Sequence, residues 1–261
     1  MSMLRSIKKL LNDCGILVYN FPSHINYSKI AELCVAQCKR HLPDITVMTV
    51  GEPIKGADQH HDLAVPQNNR RVFDNQSKTW HNLARHQSLS ISPWHRTVVI
   101  DADYLVMTDQ LMKLFASDQP LLMHREWYDI ANDTVNTIPV GKSAIDMLWA
   151  TVLKFDRTPQ VAEFFDLWHR VIENYGYYAK LYAFSPYVIR NDFAVSIAVK
   201  QLMNFGCVDH CVIPWNIHTT RDSVQVKHIS NNTLTLSDAK SDFDVAFDCH
   251  VLNKESLADA C

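Results

Sequence analysis

Two apolar runs enclose one amphipathic segment near the start of the chain, and this arrangement restricts the fold more than any other feature. GILVYNFP (15–22) is apolar and bounded by Gly and Pro, which marks a buried strand. In NYSKIAELCVAQCKRHL (26–42), Ile30, Leu33, Cys34, Cys38 and Leu42 recur at helical spacing, with Ser28 as the cap and Pro43 as the stop. ITVMTVG (45–51) is a second buried strand. Strand, helix and strand within about 35 residues make a βαβ unit, so this part of the sheet is parallel.

The pattern continues along the chain. Residues 52–72 are polar and read as a surface loop; QSKTWHNLARHQSLSI (76–91) reads as a helix with Trp80, Leu83 and Leu89 on its apolar face. TVVIDADYLV (97–106) is a buried strand, and TDQLMKLFASD (108–118) a short helix capped by Thr108 or Asp109. PLLMHREW is another strand, 129–143 a polar loop and MLWATVLKFD (147–156) a strand. TPQVAEFFDLWHRVIENYG (158–176) is an amphipathic helix with Pro in its first turn, and RNDFAVSIAVKQLMNFG (190–206) a helix ended by Gly206. Short strands follow at 208–214 and 224–236. With no repeat or linker, the expectation for 261 residues is one α/β domain, its central sheet mostly parallel and flanked by helices.

A net charge of -3 argues against a generally basic nucleic-acid coat, although a local basic groove is compatible with it. MSMLRSIKKLLNDCG lacks the long apolar core of a secretion signal, and no apolar run approaches a membrane span. The expectation is a soluble, cytoplasmic protein without membrane contact or an inferred protein partner. Seven cysteines do not form a disulfide framework and point to a reducing compartment. Cys207, His210 and Cys211 lack the second ligand pair that zinc needs, so they read as part of a late strand.

Chemistry concentrates at the end of the 97–106 strand. Val98, Val99 and Ile100 run into Asp101 and Asp103, and two carboxylates there carry a desolvation cost unless something positive sits beside them. In open α/β sheets ligands bind beyond the carboxyl ends of parallel strands, where such a pair suits Mg²⁺ or Mn²⁺ held with a diphosphate. Asp192, with Asn191 as N-cap and Arg190 beside it, opens a helix; it compensates the helix dipole or faces an acceptor. In FDVAFDCHVLNKESL (243–257), His250 can complete a divalent site and Lys254 can neutralise phosphate oxygens.

These pieces in this order resemble the GT-A class of nucleotide-sugar glycosyltransferases over most of the chain. The blocks WHNLARHQSLSISPWHRTVVIDADYLV, RNDFAVSIA and DCHVLNK are most similar to glycosyltransferase-like proteins of tailed bacteriophages. The resemblance implies a single GT-A, Rossmann-like domain. Its nucleotide-sugar half would span about residues 15–106 and its acceptor half about 107–261, with the metal and phosphate element at the end. It implies Asp101, Asp103 and His250 as metal ligands, Asp103 the more direct and Asp101 also touching the donor ribose or sugar. Tyr19 would hold the nucleotide base, Arg85 the donor phosphate or sugar and Lys254 the donor phosphate, and Asp192 would be the acceptor-side catalytic carboxylate. HVLNKESL lacks the glycine and proline of the His-x-x-Gly-x-x-Lys-Pro ending found in some GT-A families.

The expected activity is Mn²⁺- or Mg²⁺-dependent transfer of a sugar from a nucleoside-diphosphate sugar, a UDP-sugar first, to an acceptor hydroxyl. The phage likeness implies a hydroxylated cytosine in DNA as acceptor and glucose or arabinose as the sugar. Contacts to DNA would come from Arg70, Arg71, Lys78, His86, His95 and Arg96, with Trp94, Trp127 and Tyr128 stacking on a base. Transfer to a glycan, protein or small molecule, and a non-catalytic nucleotide-sugar-binding module, remain open, as does the stereochemical course.

Overall fold

The computed structural model describes residues 13–21, 25–64, 70–73, 76–79 and 83–261, with 70–73 and 76–79 described as backbone. The N-terminal segment 1–12, Trp80 and the side chains of Arg70, Arg71 and Lys78 lie outside the described residues. The chain begins with β1 (Cys14–Asn20), α1 (Tyr27–His41), β2 (Thr46–Gly51) and β3 (Gln59–His61), then β4 (Arg70–Phe73) and β5 (Gln76–Thr79). A 3₁₀ turn (Leu83–Gln87) leads into α2 (Ser88–Ile91), β6 (Arg96–Asp101), β7 (Tyr104–Leu105), α3 (Met112–Ala116), β8 (Leu121–His124), β9 (Trp127–Asp129) and β10 (Thr134–Asn136). Next come β11 (Trp149–Asp156), α4 (Pro159–Glu173), α5 (Tyr175–Leu181) and α6 (Asn191–Leu202). The chain closes with β12 (Ile217–Thr219), β13 (Gln225–Ile229), β14 (Leu234–Ser237), β15 (Asp242–Val245), β16 (Cys249–His250) and α7 (Lys254–Ala260).

The central sheet has six strands in the order β3-β2-β1-β6-β11-β8. The β3, β2, β1 and β6 neighbours pair in parallel, as the opening βαβ unit requires, but β11 is antiparallel to both β6 and β8. The sheet is therefore mixed, which corrects the expectation of a mostly parallel one. Every residue of β1 and β11 is buried. A continuous apolar run says that a strand is covered on both faces and nothing about its direction.

Other expectations also shift. Residues 76–91 form β5, a 3₁₀ turn and one turn of helix instead of a single helix, because the apolar positions there never complete a stripe. Short strands lie within 52–72 and 129–143, both expected to be loops. The 208–214 strand is a 3₁₀ turn at Asp209–Cys211 with one isolated bridge from Val212 to Met123. Asn26, not Ser28, caps α1 by accepting from the Lys29 N–H. Neither Thr108 nor Asp109 caps α3, which starts at Met112; Thr108 instead accepts from the Gln110 N–H and donates to Asp248. Residues 158–176 break at Asn174 into α4 and α5, and α6 stops at Leu202, with Gly206 closing a turn back to Met203.

The helix α4 shows why the longer elements form. Thr158 caps it, Pro159 opens it, and Val161, Phe164, Phe165, Trp168 and Val171 fall on one buried face against Phe155 of β11. At the sheet end away from the site, fully buried Lys154 is paired with Asp156 at 2.9 Å and also donates to the Ser117 and Gln119 carbonyls. This gives the buried ammonium the partners it needs.

Two glycines are required by geometry. Gly51 ends β2 at φ +103°, where a Cβ would meet the Asn20 carbonyl at 2.1 Å. In β1, a Cβ on Gly15 would lie 2.2 Å from the Trp94 ring. Gly15→Ala is expected to cost about 1–3 kcal/mol through this overpacking, measured as a lower unfolding midpoint in urea with an unchanged slope.

A second sheet, β10-β9-β12-β16-β7, stands beyond the carboxyl end of β6, and β13-β14-β15 form a third. Within the second sheet, β16 is antiparallel to β7, setting His250 opposite Tyr104, and the Val251 N–H bonds the Asp103 carbonyl at 2.9 Å. This short ladder brings the end of the chain back to the Asp-x-Asp turn. No described helix is long and apolar enough to cross a membrane.

Candidate active site

The site grows from the end of β6. Asp101 is its last residue, in register with Tyr19 of the parallel neighbour, and the chain turns through Ala102 and Asp103 into β7. One ligand atom each from Asp101, Asp103 and His250 lie within 4.8 Å of one another, and this is the one such cluster of three or more His, Cys, Asp or Glu among the described residues. Cys207, His210 and Cys211 form no such cluster.

Each carboxylate already has a cation. Arg85, in the 3₁₀ turn, touches Asp101 directly. Lys254, the first residue of α7, places Nζ 2.7 Å from Asp103 Oδ2, while His250 Nε2 is 3.5 Å from Oδ1 of the same carboxylate. Asn253 caps α7 by accepting from the Ser256 N–H at 3.1 Å, which fixes where Lys254 starts. Burial opposes ionisation of Asp103, whose side chain is 4% exposed, yet the Lys254 and His250 charges outweigh it and hold the carboxyl well below the usual carboxylate range. Burial likewise opposes charge on Lys254, and Asp103 more than restores it, raising the ammonium above the usual lysine value. The Tyr27 hydroxyl, pushed up to about 12 by burial, also bonds Lys254. The desolvation cost read from the sequence is thus met in the first instance by two side-chain cations.

The cluster opens on a cleft of about 800 Å³, a size suited to a small-molecule ligand. Tyr19, Arg85, Asp101, Asp103, Asp192, His250 and Lys254 all line it, so every site residue expected from the sequence reaches one space. Tyr19 is mostly buried, and its hydroxyl, 2.8 Å from Ser88 Oγ, is held beneath the Arg85 guanidinium. Burial pushes that phenol up to about 12, so it acts as a neutral surface.

Asp192 lines the same cleft. Asn191 is not its N-cap: it is the first residue of α6, after an Arg190 cap without side-chain bonding. Asp192 Oδ1 accepts from the Ala150 N–H at 3.0 Å, and Oδ2 lies 3.7 Å from Arg190, whose guanidinium also covers the Phe193 ring. The Ala150 carbonyl accepts from Arg85 at 2.9 Å. Both bonds use peptide groups of β11 where its pairing with β8 slips between Trp149 and Leu153. A bulge frees backbone donors and acceptors, and here the Arg85 and Asp192 side chains take them up.

Among the described residues, those expected to touch DNA lie in separate places. Trp94, His95 and Arg96 lie at the end of β6 away from Asp101; Trp94 packs on Gly15, and Arg96 donates to the Phe115 carbonyl. His86 stacks on His169. The Tyr128 hydroxyl donates to Asp133, while Trp127 lines the cleft.

Sequence reasoning missed Trp149, Thr219 and Tyr27 on the cleft wall. Trp149 stands edge-on to His250 with ring centres 6.0 Å apart and tilts against Trp127. Its signal was present in the 147–156 strand, but only the antiparallel direction of β11 brings the start of that strand to the cleft. Thr219 is fixed here by the pairing of β12 with β16.

No protein-family profile matches the sequence, and no curated protein matches it. Among solved structures, the glycosyltransferase GlyE of Streptococcus pneumoniae TIGR4 is similar at 13% identity and a TM-score of 0.43, over 72% of this chain and 42% of that one. The galactosyltransferase LgtC, in complex with donor and acceptor sugar analogs, is similar at 15% identity and a TM-score of 0.43, over 70% of this chain and 69% of that one. The chain thus spans less than half the length of GlyE.

Proposed function

We propose that this protein is a metal-dependent glycosyltransferase that moves a sugar from a nucleoside-diphosphate sugar to an acceptor hydroxyl. The observation that carries this reading is the cluster of Asp101, Asp103 and His250, flanked by Arg85 and Lys254, at the carboxyl edge of β6 and open to the cleft. Two carboxylates and an imidazole fit a divalent cation such as Mn²⁺ or Mg²⁺, and two fixed cations beside them fit the oxygens of a diphosphate. Bound there, the ion would act as a Lewis acid on the departing diphosphate.

The chain's own residues supply the rest. Lys254 and Arg85 turn from the carboxylates to the phosphate oxygens and neutralise charge as the bond to the sugar breaks. Tyr19 carries the base on a neutral ring. Elsewhere in the cleft, Asp192 has one oxygen fixed by the Ala150 N–H and offers the other to the acceptor hydroxyl or the positive charge growing on the sugar. A UDP-sugar is the first donor to test, and hydroxylated cytosine in DNA the first acceptor, the latter on the sequence resemblance alone.

Asp192→Asn keeps an oxygen for the Ala150 N–H, so the fold should hold while turnover drops by about 10²–10⁴. Circular dichroism and released nucleoside diphosphate measure the two effects. The reading itself is tested by incubating the protein and Mn²⁺ with a panel of nucleotide sugars, with hydroxylated-cytosine DNA, simple saccharides or no acceptor. Acceptor-dependent release of nucleoside diphosphate is the expected result. Absence of release from every pairing, together with no nucleotide binding, would remove the transferase reading.

A further inference from the structure

We propose that Lys254, with Arg85 in support, makes uptake of the divalent ion conditional on a diphosphate, so that ion and dianion enter as a coupled pair. This inference rests on the transferase reading and concerns how its site fills. Lys254 Nζ lies 2.7 Å from Asp103 Oδ2, and Arg85 touches Asp101, so both carboxylates are neutralised before any ion arrives. The side chains concerned are well shielded: Asp103 is 4% exposed, Arg85 6% and Lys254 17%.

Charge decides the order of events. Asp101 and Asp103 are matched one for one by Arg85 and Lys254, so these four side chains carry no net charge before an ion enters. A dication alone would overshoot to a positive site and would also have to compete with Lys254 for Asp103. Like charges a few ångströms apart in a shielded site repel strongly. The diphosphate of a nucleotide sugar carries two negative charges. It both restores the balance and gives the Lys254 ammonium a new partner within the same cleft, so release of Asp103 no longer strands a buried cation. Ion and diphosphate therefore favour each other's binding, and linkage makes the effect equal in both directions. A neutral sugar offers Lys254 nothing, and a monophosphate offers fewer oxygens, so the same residue selects for a diphosphate.

The test is Mn²⁺ binding followed by the electron paramagnetic resonance signal of the free ion, without sugar transfer as a readout. Wild-type protein is titrated alone, with saturating UDP and with UMP, each corrected for Mn²⁺ held by free nucleotide; Lys254→Met is titrated alongside. The expected wild-type result is a gain in Mn²⁺ affinity of about tenfold or more with UDP and a smaller gain with UMP. Lys254→Met should bind Mn²⁺ alone about tenfold more tightly than wild type, bind UDP more weakly and lose most of the coupling. Equal wild-type affinity with and without UDP overturns the proposal, as does a folded Lys254→Met that binds Mn²⁺ alone no better than wild type. Should that variant not fold, the wild-type comparison decides by itself. Mn²⁺ and UDP binding without coupling removes only this inference, whereas no binding of either removes the transferase reading with it.

Discussion

Asp103→Ala is expected to lower sugar-transfer turnover by about a thousandfold and to destabilise the protein by about 3–5 kcal/mol. The two effects have separate origins. Turnover falls because one of the two carboxylates of the ligand cluster is gone. Stability falls because Lys254, held 2.7 Å from Asp103, is left as a shielded cation that has lost its carboxylate. The double variant Asp103→Leu with Lys254→Met separates them, since replacing a buried pair by apolar groups of similar size is close to neutral. It should recover most of the stability and none of the turnover. Thermal unfolding and nucleoside diphosphate release measure the pair; a double variant as unstable as the single one would show that the ion pair is not the source of the loss.

Trp168→Ala should have an effect of similar size on stability and little on the site. The residue is fully buried on α4, with ring centres 5.8 and 5.7 Å from Phe164 and Phe165, and Phe165 in turn meets Phe155 of the central sheet edge-on. Emptying that volume costs about 3–5 kcal/mol, or a fall of about 6–20 °C in melting temperature for a chain of this class. Trp168→Phe discriminates the cause. The indole Nε1 is buried without a hydrogen-bond partner, so Phe discards an unsatisfied donor while keeping most of the ring contact, and the loss should shrink to about 1–2 kcal/mol. Equal losses for both variants would mean that the cluster does not depend on ring volume.

Elements that bury a complete face were legible in the sequence. The β1-α1-β2 unit, β6 with its Asp-x-Asp end, and α4 each repeat their apolar residues with the period of the structure they form. So were the residues that meet in the cleft, because acid, histidine and lysine at the ends of apolar runs have few inexpensive places to go. What failed depends on contacts remote in sequence. The direction of β11 is fixed by its neighbours and leaves no mark in WATVLKFD. β10 is three residues long and largely exposed, so no burial pattern announces it. The ion pairs that Arg85 makes with Asp101 and Lys254 with Asp103 were also unforeseen, since these cations arrive from 16 residues upstream of Asp101 and about 150 downstream of Asp103. The cysteine-rich segment near residue 210 is a turn at Asp209–Cys211 that meets the sheet through the isolated Val212–Met123 bridge, a contact remote in sequence.

Ala150 has a consequence for how the side chains around the cleft depend on one another. Its carbonyl accepts from Arg85 and its N–H donates to Asp192, so the two adjacent peptide planes that meet at the Ala150 Cα each hold one of these side chains. Truncating either side chain leaves an Ala150 backbone group at the bulge without its partner, so substitutions at Arg85 and Asp192 are expected to be non-additive in stability.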